Sequence, residues 1–146
     1  NKEDNMEEVI EYLKLKNEYY EKFLSITAKF LGEARQNRWE DLDFFVENRE
    51  RILNLIRSFE VKISKVMSQN QNDEAAVNKY KPTVQKLLEQ RKALADRIVA
   101  LDLELITKID EMKTDTIKEL KRTVETGQQV NSFTRTPGKT KTTKEV

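Results

Sequence analysis

Two residue types are missing altogether from these 146 residues, histidine and cysteine. Without histidine there is no Ser-His-Asp or Cys-His constellation, no imidazole to move protons near neutral pH, and none of the Glu-x-x-His ligands of helical di-iron proteins. Without cysteine there is no disulfide framework, thiolate zinc site or thiol nucleophile. Only three glycines occur, and they stand singly, so no glycine-rich loop can cradle a phosphate. Two prolines, few glycines and 36% charged residues argue against a β-rich fold. No apolar run approaches the roughly 20 residues that span a bilayer. Net charge is close to balance at +1, so no global field draws the chain to nucleic acid or an anionic membrane. No signal-peptide pattern is visible. The chain opens at Asn1, which leaves an earlier, removed segment open, and a cytoplasmic protein is the expectation.

Carboxylates are plentiful, for example Glu47 and Glu50, or Asp110, Glu111 and Asp115. They alternate with lysine and arginine at spacings that suit solvated ion pairs on a helix, not a metal or acid/base pair. No catalytic residue, metal site or cofactor is therefore expected, and the chain is read as a non-enzymatic protein.

What is present is helical periodicity. A hydrophobic content of 37% in a chain of this length supports one thin, elongated domain. From Met6 the apolar residues recur at steps of four and three through Ile10, Leu13, Tyr20, Leu24, Thr27, Leu31 and Ala34, with Asn17 as the one polar interruption. A second rail, Val9, Tyr12, Tyr19, Phe23, Ile26 and Phe30, widens the apolar face enough for two partner helices. After the polar break at Gln36, Asn37 and Arg38, the pattern restarts at Trp39, with Asn37 as the expected N-cap. It continues through Leu42, Phe45, Val46, Ile52, Leu53, Ile56, Phe59, Ile63, Val66 and Met67. Residues 69–73 read as a turn with an antiparallel return. Pro82 marks the secure start of a third helix, after a loose turn around Val77 and Tyr80. The stripe then runs through Val84, Leu87, Leu88, Leu94, Ile98, Leu101 and Leu105, and Gly127 supplies the stop.

The expectation is an all-α fold: an elongated antiparallel bundle of three long helices over 4–36, 38–68 and 82–126, a helical hairpin with a longer third helix and coiled-coil-like packing. Residues 1–133 form the domain, and 134–146 form a polar basic tail with almost nothing to bury, which composition marks as disordered. At 1.5 Å per residue the first two helices are on the order of 45 Å long and the third roughly 65 Å, so the third should outrun its neighbours. That leaves Ile109, Met112, Ile117, Leu120 and Val124 without obvious cover near its end. Three uses are open for them: core, if the segment folds back; a homodimer seam; or a docking surface for a foreign helix. Two charges also fall on apolar stripes, Arg49 between Val46 and Leu53, and Asp102 between Ile98 and Leu105. Either they meet across antiparallel helices and fix register, or each keeps its charge in water at a stripe edge.

The segment Arg38-Trp39-Glu40-Asp41-Leu42, followed by Asn48-Arg49-Glu50-Arg51-Ile52-Leu53, resembles the second helix of the FlgN/FliT type of flagellar export chaperone. The close of the third helix is similar as well: Ile117-Lys118-Glu119-Leu120, then Gly127-Gln128-Gln129-Val130-Asn131-Ser132-Phe133. The resemblance covers most of residues 6–133. It implies a cytoplasmic helical chaperone for flagellar type III secretion. Such a protein binds an axial flagellar client, a hook-filament junction or filament-cap subunit, through its C-terminal amphipathic segment and delivers it to the export apparatus. The acidic start, the polar turn at 69–73 and the threonine/lysine tail depart from that pattern. As a monomer or homodimer the chain would suit such a role. The alternatives are a homo-oligomeric structural coiled coil without a client, and nucleic-acid binding through Arg135 and the tail lysines, which phosphate contacts alone would make weak and unspecific.

Overall fold

The computed structural model describes residues 2–69 and 74–133, with side-chain surroundings for 4–69 and 74–126. The architecture is all-α: α1 spans Lys2–Arg35, α2 Leu42–Gln69 and α3 Glu74–Phe133, the longest. The chain divides into two compact units, Asn1–Leu105 and Ile106–Val146. The first holds α1, α2 and the opening part of α3.

Within that first unit, α1 packs against both other helices, and the contacts give their directions. Tyr12 and Tyr19 of α1 lie against Phe59, whereas Phe30, near the end of α1, stacks on Phe45 with centroids 4.4 Å apart. α1 and α2 are therefore antiparallel. Along α3 the order runs the same way as α1: Tyr80 reaches Glu7, Asn17 reaches Leu87, and Arg35 reaches Glu104. The result is an up-down-up bundle. Apolar clusters include Val9, Ile10, Leu13, Val66 and Leu87 at one level, and Phe23, Leu24 and Ile98 at another. Both rails of α1 are used, since Val9, Phe23 and Phe30 are as buried as Met6, Leu31 and Ala34. Val46, Met67 and Leu88, which belong to the stripes by spacing, lie exposed at their edges.

Arg49 and Asp102 do meet. Nη1 and Nη2 of the guanidinium donate to the two carboxylate oxygens at 2.8 Å each, and the guanidinium carbon lies 4.4 Å from the centre of the Phe23 ring. One side chain thus links all three helices.

Four local expectations are corrected. Asn37 is not an N-cap. It adopts φ 58°, Asn37 N–H donates to Ala34 O and Arg38 N–H to Glu33 O, which is the Schellman closure of α1. Asparagine serves there because it tolerates the left-handed region better than other side-chain-bearing residues. In consequence the second helix starts not at 38 but at Leu42, after Phe45 N–H finds Asp41 O. Trp39 stays in the connecting turn, its indole N–H donating to Asn37 Oδ1 at 2.9 Å and its ring set edge-on to Phe30.

Pro82 does not open the third helix. It sits inside α3, which begins at Glu74. Proline removes one backbone hydrogen bond and crowds the preceding turn. Here Ala76 is buried on one side of it, and Tyr80 and Val84 pack on the first apolar cluster around it. That burial holds the helix across the defect, while Pro82 and Asn78, whose carbonyl loses its donor, lie exposed to water. Gly127 likewise does not stop α3, which runs on to Phe133. A single glycine costs about 1 kcal/mol, which a long helix tolerates. Apart from Gln69, the last residue of α2, the turn expected at 69–73 lies outside the described residues, as does the tail at 134–146.

Adjacent positions late in α1 should respond oppositely to alanine. Leu31 has no exposed surface, so Leu31→Ala should lower unfolding free energy by about 2–5 kcal/mol. A Cβ added at Gly32 meets nothing within 4 Å, so Gly32→Ala should raise it by about 0.5–1 kcal/mol. Urea titrations of both variants check the pair, and equal signs would contradict this placement of α1.

Candidate interaction surface

In the second unit the five residues singled out from the sequence fall on two sides of α3. Ile117 and Leu120 are 53% and 45% exposed, while Ile109, Met112 and Val124 are half-buried. At about 100° per residue, Leu120 projects almost in line with Ile109, whereas Ile117 and Val124 lie to one side of that line and Met112 to the other. The five therefore fan over about 140° of the helix surface. The residue that joins the more exposed side is Ile106, itself 55% exposed. Sequence reasoning missed it, although the steps of four and three from Ile106 through Asp110, Lys113, Ile117 and Leu120 to Val124 carry the signal. The two charged members interrupt the apolar pattern and hide it.

Several polar groups around this side are bonded within the helix. Thr116 Oγ1 donates to Met112 O and Thr123 Oγ1 to Glu119 O, which leaves their methyl groups outermost. Lys108 pairs with Glu111 and Arg122 with Glu119, each one turn along. What remains is a helix side of branched apolar side chains edged by threonine. It can cover an apolar partner helix but offers no group for chemistry.

The first unit carries a second apolar feature. Phe44, 66% exposed, stands beside a cleft of about 190 Å³ lined by Ile26, Phe30, Phe45 and the charged residues Lys29, Glu33 and Asp41. That volume accepts one side chain and falls short of an ordinary small-molecule site. The stripe read from the sequence passes through Phe45 and leaves out Phe44, in line with their burial.

Between the two apolar clusters lies a polar layer. Lys16 and Asn17 are buried at 7% exposure; Lys16 Nζ is 3.3 Å from Glu60, and Asn17 Nδ2 donates to Leu87 O at 3.0 Å. Arg91 hydrogen-bonds the Tyr20 phenol, and its own Nε is buried without a partner. Burial, reinforced by the negative charge of Glu60, pushes the Tyr20 phenol above its ordinary value, and Arg91 opposes that shift. These groups are turned toward one another and tie three helices together. Among the described residues no group of acidic side chains could hold a metal ion, and no helix is long and apolar enough to cross a membrane.

No family model, curated protein or solved structure matches the chain.

The Tyr20 shift has a pH consequence of definite sign. The folded protein keeps this proton to higher pH than the unfolded chain, whose phenol titrates near the ordinary 10.0. Its contribution is therefore complete below that value and is lost as pH rises through the higher folded one. Stability measured by urea from about pH 9 to about pH 11 should fall less steeply for Tyr20→Phe than for the parent. Parallel pH profiles would mean that Tyr20 titrates as a free phenol.

Proposed function

We propose that this protein is a non-catalytic helical chaperone of the FlgN/FliT type, which holds an unassembled axial flagellar subunit in the cytoplasm and passes it to the export apparatus. The observation that carries the proposal is the exposed apolar side of α3, Ile117 and Leu120 with Val124 beside them, where Thr116 and Thr123 donate their hydroxyls back to the helix's own carbonyls. A client helix laid along this side replaces water over branched side chains. Each leucine-sized group fully covered is worth about 1.5–3 kcal/mol. Axial flagellar subunits polymerise through helical ends, so covering such an end prevents premature assembly and leaves the rest of the subunit free for export. The resemblance around Trp39 and Arg49 motivates the same choice. Trp39 departs from it in lying in the turn before α2 and not opening that helix, while Arg49 lies in the segment of bulky apolar residues that follows.

A structural coiled coil that associates only with itself is the second possibility, favoured by the four-and-three spacing of the same exposed residues.

A pull-down from a lysate of flagellated bacteria, comparing the intact chain with Ile117→Asp/Leu120→Asp, tests the proposal. Both positions are exposed, so helicity and melting should be unchanged. Recovery of an axial subunit by the intact chain and about tenfold less by the variant is the expected result. Equal capture by both forms places any client elsewhere, and recovery of no axial subunit removes the chaperone proposal.

A further inference from the structure

The cleft beside Phe44 lies wholly in the first unit, where the turn after α1 leads into α2. Phe30 and Phe45, both buried and stacked on each other, form its floor. Because α1 and α2 are antiparallel, Glu33 near the end of α1 and Asp41 just before α2 line the same end of it. Two features set the cleft apart. Phe44 is exposed, whereas every other phenylalanine, tyrosine and tryptophan among the described side chains is buried or half-buried. The carboxylates of Glu33 and Asp41 enter no ion pair or hydrogen bond among the described residues, although Lys29 stands one turn from Glu33 and Arg38 lies in the connecting turn.

We infer that this cleft receives one arginine side chain of a partner protein, with the guanidinium over the Phe44 ring and its charge answered by Glu33 and Asp41. Charge decides the class of occupant. The lining sets two carboxylates, at one end, against the single ammonium of Lys29. An apolar side chain seated there would strip water from Glu33 and Asp41 and offer no charge in its place. A cation replaces that water with an opposite charge, and the face of the Phe44 ring attracts it as well.

Arginine suits the cleft better than lysine. Its guanidinium is planar and weakly hydrated, stacks on aromatic rings and forks between carboxylate oxygens, whereas an ammonium is a compact charge held strongly by water. Its apolar stem can lie on the floor made by Phe30 and Phe45. The chain already contains this arrangement once: the Arg49 guanidinium carbon lies 4.4 Å from the centre of the Phe23 ring while its nitrogens donate to Asp102. At the cleft the same combination, an aromatic ring and carboxylates, faces outward. A volume of about 190 Å³ limits the occupant to one side chain, so the rest of the partner stays outside.

The inference does not rest on the client surface of α3, and its test uses the purified full chain with a defined probe. Titration with a capped alanine-arginine-alanine peptide, followed by NMR at low salt, should shift the signals of Phe44, Phe45 and Asp41 with Kd on the order of millimolar. Matched peptides carrying citrulline, the neutral isostere, or norleucine should bind at least about threefold more weakly. Phe44→Ala, and separately Glu33→Gln/Asp41→Asn, should each weaken the arginine peptide by about two- to fivefold, with circular dichroism showing the helices intact. The comparison of peptides on the parent chain needs no variant. No shift at the cleft, equal binding of the citrulline or norleucine peptide, or folded variants that bind as the parent does overturn the inference. Phe44 signals that move with protein concentration alone, or on Arg135→Gln with no peptide added, overturn it as well, since they place a second copy or this chain's own tail in the cleft.

Discussion

Arg49 crosses from α2 to α3, grips both oxygens of Asp102 and lies over the ring of Phe23 on α1. Three helices lined with leucine, isoleucine and valine can slide past one another by a heptad, about 10 Å, and still bury apolar surface. A planar guanidinium with a fixed fork cannot follow that slide without leaving its carboxylate. The pair is only partly desolvated, with 30% and 24% of the two side chains exposed, so its charge is kept without the full penalty of burial. Asn17 acts in the same manner between α1 and α3, since its amide would be stranded in an apolar layer at any register other than the one that presents Leu87 O. Specific register thus comes from a few polar groups, and most of the attraction comes from the apolar rails around them.

The sequence was most informative where one physical effect dominates. α1 shows both apolar rails in its residue spacing because every third or fourth residue is buried, and even the polar Thr27 fits, with its hydroxyl donating back to Phe23 O. Reading was poorest at the ends of elements, where two effects compete. Asn37 has the right chemistry for either end of a helix. The choice between starting α2 and closing α1 is made by backbone geometry, φ 58° and two carbonyls of the last turn, which residue type does not encode. At Pro82 the local rule loses to tertiary packing. The burial of Ala76 and the packing of Val84 outweigh one lost hydrogen bond; Val84 stands on the stripe legible in the sequence, whereas Ala76, before the proline, does not.

For the interaction surface the loss was of another kind. Ile109, Met112, Ile117, Leu120 and Val124 lie close in sequence, but helical phase fans them out: Leu120 falls almost in line with Ile109, with Met112 on one side and Ile117 and Val124 on the other. Ile106 was passed over because apolar periodicity treats Asp110 and Lys113 as interruptions. A charge on a stripe has two meanings, however. Arg49 and Asp102 show one within this chain, where a charge on an apolar rail is answered from the neighbouring helix. Asp110 and Lys113 take stripe positions of the same spacing farther along α3, where both are exposed.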